Sequence, residues 1–424
     1  PSAPSLLRIL TVACVVGVGW TEAGGRERCE VGHDNFQEEK GPSDILSSTA
    51  GGALRGYAHL HARLLDPSDS SAPKMFLVLQ PLLGIGNSMI EEATALLICL
   101  VTGRALSIDL FDRSQGQGSA WHAPWSEYQQ KIDTNKERLA VFARDAQVTM
   151  LPERREHLYA QFNEFVGCRY WGDSALNKSM LVATPGRFLG FPPAFGNKHH
   201  ASYIRDTFGE YFFYFASHFL HTPSPSILKR VSKVVSKFID TANCSVGIHI
   251  RWGAPEDSFH YVDHNETKKA LEAYVSCATS LCPASEGTSW MVATDSVWVR
   301  KEIASLVPPG VRLWHSNKAV APDNSHHGRA LAEMSIIGAC THMVTTRLST
   351  FSFAAHARAL KRPWVVAKGE AECKRARHSQ EGLYVQQPVH DRWPWQMAQM
   401  NKISCSDAYP DDEDEMATML SGLA

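Results

Sequence analysis

Four short stretches hold the residues best placed for chemistry. Val246-Gly247-Ile248-His249-Ile250-Arg251 sets a histidine and an arginine two positions apart, so that on a strand they project from the same face. A guanidinium there can grip a phosphate through two oxygens; the plainer alternative is a core histidine beside an arginine held in an ion pair. Ala293-Thr294-Asp295 ends in a carboxylate able to accept hydrogen bonds from a base or ribose, or to cap a helix that begins at Ser296. Thr345-Thr346-Arg347-Leu348-Ser349-Thr350-Phe351-Ser352 is a hydroxyl-rich turn. Hydroxyls and N–H groups at a helix start bind anions, and they also cap helices that bind nothing. In Gly84-Ile85-Gly86-Asn87 the glycines allow backbone N–H groups to approach a ligand, and a tight turn without a ligand explains them as well. This last stretch fits neither the dinucleotide fingerprint nor the Walker loop.

The elements around these stretches alternate. Met75 to Leu79 reads as a short strand buried on both faces, Met89 to Val101 as an apolar helix stopped by Gly103, and Ala105 to Leu110 as the next strand. Together they make a βαβ unit. The cluster Tyr211-Phe212-Phe213-Tyr214-Phe215 suggests a core helix, and Pro223-Ser224-Pro225 a break before a helix from Ser226 to Asp240. Strands are then expected at 245–250, 290–293, 311–315, 342–345 and 364–367, with helices at 265–278, 296–306, 328–340 and 351–360. This alternation predicts an α/β fold with a second doubly wound domain. In such sheets ligands collect at the carboxyl ends of strands, which is where all four stretches fall.

The remaining sequence bounds the setting. Against 44 acidic residues stand 42 basic ones, so no broad electrostatic surface for nucleic acid is expected. An apolar run from Ile9 to Trp20 after Arg8, followed by Thr21-Glu22-Ala23, reads as a signal peptide or short signal anchor over residues 1–23. Residues 24–74 read as a stem or linker, 75–225 as an N-terminal α/β domain, 226–400 as the second doubly wound domain, for which the resemblance given below implies nucleotide-sugar binding, and 401–424 as an acidic tail. Asn177, Asn243 and Asn265 each begin an N-glycosylation pattern. Ten cysteines suit an oxidising lumen, with the Cys277 to Cys282 loop the first choice for a local bridge. There is no Cys-x-x-Cys pair and no expected helix that carries a His-x-x-x-His pair, so zinc has little support.

Gly84-x-Gly86-Asn87 after a first strand, His249-x-Arg251, Ala293-Thr294-Asp295 and Ser349-Thr350-Phe351-Ser352, in this order, resemble the blocks of the fucosyltransferase superfamily. That superfamily includes plant xyloglucan α-1,2-fucosyltransferases, bacterial α-1,6-fucosyltransferases and protein O-fucosyltransferases. The plant-type branch is nearest, because its Ser-Thr-Phe turn leads to Pro-Trp as Ser349-Thr350-Phe351 leads to Pro363-Trp364. The resemblance implies a GT-B-like pair of Rossmann-like domains facing a cleft, and inverting transfer of fucose from GDP-fucose to a glycan or glycoprotein hydroxyl, with neither metal nor cofactor. Arg251 would contact the β-phosphate as the catalytic group and His249 would lie beside the nucleotide. Asp295 would touch guanine or ribose, Ser349, Thr350, Phe351 and Ser352 would hold the pyrophosphate, and Gly84, Gly86 and Asn87 would close the donor site. Glu256, Asp257 and His260 are candidate general bases. The expected setting is the Golgi or endoplasmic reticulum lumen, with membrane contact only through an N-terminal anchor. The alternatives are a catalytically inactive glycan-binding protein of the same fold and a transferase using another nucleotide-sugar.

Overall fold

Short runs of Val, Ile, Leu and Met form parallel strands in two separate sheets. The computed structural model describes residues 49–65, 76–79, 85–108, 121–122, 148–150, 180–183, 199–208, 211–252, 267–316, 326–347, 349–366 and 372–376. Within them the first sheet comprises β1 (Phe76–Leu79), β2 (Ala105–Ile108), β4 (Val148–Met150) and β5 (Met180–Ala183), in the order β2-β1-β5-β4. Every pairing in it is parallel. A small antiparallel pair joins β3 (Trp121–His122) to β6 (Thr222–Pro223).

The second sheet comprises β7 (Cys244–Ile250), β8 (Thr288–Thr294), β9 (Arg312–His315), β10 (His342–Thr346), β11 (Trp364–Val366) and β12 (Lys374–Arg375), in the order β12-β11-β10-β7-β8-β9. Only β12 runs antiparallel to its neighbour. The chain steps outward from β7 to β9 and then returns to place β10 against the other side of β7. The order reverses between β7 and β10, so the loops after their carboxyl ends form a switch point.

The helices are α1 (Thr49–Leu65), α2 (Ile85–Thr102), α3 (Ala201–Phe208), α4 (Phe212–Leu220), α5 (Pro225–Val234), α6 (Thr267–Leu281), α7 (Val297–Leu306), α8 (His326–Ala339) and α9 (Thr350–Arg358). A π-helical turn, Val235–Ile239, extends α5. Alternation along β7 sorts the second sheet's two faces. Val246, Ile248 and Ile250 join Leu271 of α6 and Val299 of α7 in one cluster. On the opposite face Met291, Ala293 and Met343 pack with α8, α9, α2 and α4. That second cluster runs on without a break into Leu77 of β1 and Leu54 of α1, so one core joins the two sheets.

Three expectations are corrected. The stretch read as a stem contains α1, which buries Ala50, Leu54, Tyr57, His61 and Leu64. These recur at alternating intervals of four and three, but Gly51, Gly52 and Gly56 between them hide the period. The helix also covers β2, the end strand of the first sheet among the described residues. Tyr57 Oη accepts the Leu106 N–H at 2.9 Å, and His61 Nε2 lies 2.9 Å from the Leu106 carbonyl.

The helix expected from Met89 begins at Ile85, so Gly86 and Asn87 belong to its first turn instead of to a preceding loop. Cys277 and Cys282 do not pair with each other. Cys244 bonds Cys282, and Cys277 bonds Cys373, with Cα separations of 5.8 and 5.7 Å. Five helical positions turn a side chain by about 140°, which points Cys277 and Cys282 towards different neighbours.

Candidate functional site

The candidate site is built where β7, β8 and β10 end. Arg251 follows β7, Asp295 follows β8, and the Ser349 to Ser352 turn follows β10. Arg251 Nη1 donates to Asp295 Oδ2 at 2.7 Å. The other carboxylate oxygen, Oδ1, accepts the Trp252 N–H at 2.9 Å. Asp295 therefore fixes both the side chain of Arg251 and the backbone after it. Capping of α7 falls to Ser296, whose Oγ accepts the Val299 N–H at 3.2 Å. The two charged side chains are 41% and 32% exposed, so the pair stands at the surface of the strand ends where a ligand can reach it.

Beneath the pair, Thr346 locks β7 to β10. Its hydroxyl donates to the His249 carbonyl at 3.1 Å and accepts the Arg251 N–H at 2.8 Å. Tyr274 Oη lies 2.7 Å from the same hydroxyl. Because the Thr346 proton points to His249, Tyr274 is the donor of that bond. Burial, foremost, raises the Tyr274 pKa, against the opposing hydrogen bond with Thr346, and the Asp295 charge adds to the rise, which keeps the phenol protonated for this task.

His249 is buried, and its Nδ1 lies 2.6 Å from Ser352 Oγ. Its ring stacks on Phe351 with centroids 4.5 Å apart and planes at 24°. Ser349 caps α9, its Oγ accepting the Ser352 N–H at 3.4 Å. Of the four residues expected to hold pyrophosphate, Ser349 and Ser352 are thus buried and engaged in shaping the turn. Thr350 and Phe351, at the first helical positions, are partly exposed. Backbone N–H groups at those positions have no acceptor within their own helix.

Gly86 carries the first sheet's contribution to this place. A Cβ added to it would lie 2.5 Å from Phe351 N and 2.7 Å from the Thr350 carbonyl oxygen. Only glycine lets the first turn of α2 approach the first turn of α9 so closely. Two helix N-termini therefore meet beside the strand ends, and their macrodipoles favour negative charge. Gly84, the side chain of Asn87, and Glu256, Asp257 and His260 lie outside the described residues.

Several buried polar residues around the strand ends and the helices behind them were not singled out from the sequence. Glu333 on α8 is buried, and burial is the largest cause raising its pKa, opposed by Ser316, Arg329 and Arg300, while Asp295 pushes it further up. A lone acid among Leu331, Ala332, Met334, Ile336 and Ile337 was the available clue. Arg358 is fully enclosed between α9 and α4, donating to the Ser217 carbonyl at 2.6 Å and the His221 carbonyl at 3.1 Å. His221 Nε2 in turn meets Glu92 of α2 at 2.8 Å. Among the described residues, Cys244, Cys282 and His342 bring three potential metal-ligand atoms within 4.8 Å of one another. The two sulfurs are joined as a disulfide, and the group lies at the opposite end of β7 from Arg251.

No protein-family model and no curated protein matches the chain. Solved structures do. A mutant of Arabidopsis thaliana FUT1 in complex with GDP superposes with a TM-score of 0.56 at 17% identity, covering 78% of this chain and 83% of that one. Fucosyltransferase NodZ from Bradyrhizobium gives a TM-score of 0.43 at 14% identity, over 66% of this chain and 91% of its own. The fold is accordingly α/β and GT-B-like, with two Rossmann-like doubly wound sheets, as in the first of these structures.

Proposed function

We propose that this chain is an inverting, metal-independent fucosyltransferase of the secretory lumen, moving fucose from GDP-fucose to a glycan or glycoprotein hydroxyl. The observation that carries the reading is the meeting of three anion-seeking features at one switch point: the Arg251 guanidinium beside Asp295, and the N-termini of α2 and α9 held together at Gly86. The fold shared with a GDP-bound structure supports it.

In this reading the acceptor oxygen bonds to C1 of the sugar as the bond from C1 to the β-phosphate oxygen breaks. Negative charge then grows on the departing GDP. Fixed donors aimed at that charge lower the barrier. A guanidinium has five N–H donors, so one that holds a carboxylate can also take a phosphate oxygen. Asp295 orients Arg251 before the donor arrives and reaches the ribose or guanine once it is bound. His249, pinned by Ser352 and stacked on Phe351, sets the shape of the α9 turn whose N–H groups receive the pyrophosphate. The acceptor's proton leaves to a base, with Glu256, Asp257 and His260 the candidates in the segment that follows Arg251.

A donor screen tests the proposal. Purified full-length protein should release GDP from GDP-fucose, slowly to water and faster with a glycan acceptor. Equal indifference to GDP-fucose, GDP-mannose and UDP-sugars would leave the chain a binding protein of this fold, and preference for another donor would reassign the sugar.

A further inference from the structure

The Asn243-Cys244-Ser245 sequon lies across a disulfide and a sheet edge, and that placement gives it a property its pattern alone does not. Asn243 is exposed in the turn before β7, anchored by its N–H to the Gly287 carbonyl at 2.7 Å. Cys244 is bonded to Cys282. Ser245 is 1% exposed. Its Oγ accepts the Thr341 N–H at 2.9 Å and lies 3.1 Å from Thr341 Oγ1, while the strand around it pairs with β8 and β10. A transferase that reads the sequon needs all three residues free and extended, with the serine hydroxyl available. In the folded chain the middle residue is cross-linked and the third is inside the sheet.

We infer that Asn243 is an N-glycan acceptor only while the chain is being made, and that oxidation of Cys244 closes it. The inference rests on the lumenal part of the proposed function. Two reactions compete for the same segment. In one, Asn243 Nδ2 forms a bond to C1 of a lipid-linked oligosaccharide, loses a proton and releases the lipid diphosphate. In the other, the thiols of Cys244 and Cys282 give up two electrons and two protons to an oxidising protein disulfide, which becomes a dithiol. The separation of 38 residues between the two cysteines sets the time available. At roughly 5–20 residues per second of synthesis, Cys282 follows Cys244 by about 2–8 s.

The product would stand away from the candidate site. Asn243 precedes β7 whereas Arg251 follows it, so a glycan there leaves from the end of the sheet opposite the candidate site. Once attached, the glycan does not block Cys244 itself, so glycosylation followed by bridging is a permitted order and the reverse is not.

The test uses the full chain behind an added cleavable secretory leader, translated into microsomes, so that entry does not depend on residues 1–23. Occupancy at Asn243 is read by mass spectrometry after enzymatic deglycosylation, with Asn265 as the internal control. Under oxidising conditions Asn243 should be sparsely occupied. Dithiothreitol during synthesis, or Cys282→Ser, should raise its occupancy severalfold relative to Asn265. Using two independent ways of withholding the bridge keeps the result readable even if Cys282→Ser folds poorly. Unchanged occupancy under both treatments, no glycan at Asn243 in any condition, or glycan addition to chains already folded and oxidised would each overturn the inference. Entry of the chain with its own leader is scored separately, and its failure would count against the lumenal reading alone.

Discussion

Arg251 and Asp295 face each other at 2.7 Å across the carboxyl ends of two neighbouring parallel strands. Strand register brings them there: His249 lies opposite Ala293 and Ile250 opposite Thr294, so the next residues on each strand emerge together. Both side chains are substantially exposed, and an exposed pair of this kind adds at most about 1 kcal/mol to stability. Asp295→Asn should therefore melt close to the wild type, because the amide oxygen can still accept the Trp252 N–H. Titration calorimetry should show weakened GDP binding with inorganic pyrophosphate binding kept or tightened, since Arg251 loses a competitor for its donors. Equal weakening of both would remove Asp295 from the nucleoside side of the site.

Gly86 and Gly56 should respond oppositely to alanine. At Gly56 an added Cβ meets nothing within 4 Å, so Gly56→Ala should stabilise α1 by about 0.5–1 kcal/mol. At Gly86 it would strike the backbone of Thr350 and Phe351. Gly86→Ala should destabilise by roughly 1–3 kcal/mol and lower nucleotide affinity. Paired thermal melts check the two signs.

Acid should loosen the chain through two buried histidines. Burial, foremost, lowers His218 and His356 to about 3. The folded state then binds fewer protons than the unfolded one, so their contribution is complete above the ordinary histidine value near 6.5 and is lost as pH falls towards 3. Between pH 6.5 and 5 each should cost on the order of 2 kcal/mol. His356, whose burial is opposed by a hydrogen bond to the Lys361 backbone alone, is the better probe. His356→Leu should flatten part of the drop in melting temperature between pH 7 and 5; an unchanged slope would mean that the imidazole is solvated in acid.

The fold and the site were not equally legible in the sequence. Strand β8 announced itself through Trp290, Met291, Val292 and Ala293, because a strand covered on both faces needs an unbroken apolar run. His249 and Arg251 stood out for the opposite reason, as polar residues inside such a run. What stayed hidden depends on contacts between distant segments. Thr346 looks like any strand threonine until β10 is laid against β7, and Gly86 like any turn glycine until α9 is brought up to it. The apolar period of α1 was diluted by glycines, and the partners of Cys277 and Cys282 are fixed by sheet order, which spacing along the chain does not encode.

Metal removal gives a further expectation. Transfer should continue in excess chelator, because charge on the leaving diphosphate falls to Arg251 and the helix N-termini rather than to a bridging cation. Loss of turnover on chelation, restored by manganese, would contradict this.

The most direct test of the central claim is GDP-fucose turnover by Arg251→Ala, measured beside its thermal unfolding. If the guanidinium meets the β-phosphate as charge develops, the rate should fall by about 100- to 1000-fold, on the order of 3 to 4 kcal/mol. The melting temperature should barely move, as expected for an exposed pair, and Arg251→Lys should recover only part of the rate because it keeps the charge without the fork. A folded Arg251→Ala protein that turns over GDP-fucose at near wild-type rate would contradict the assignment.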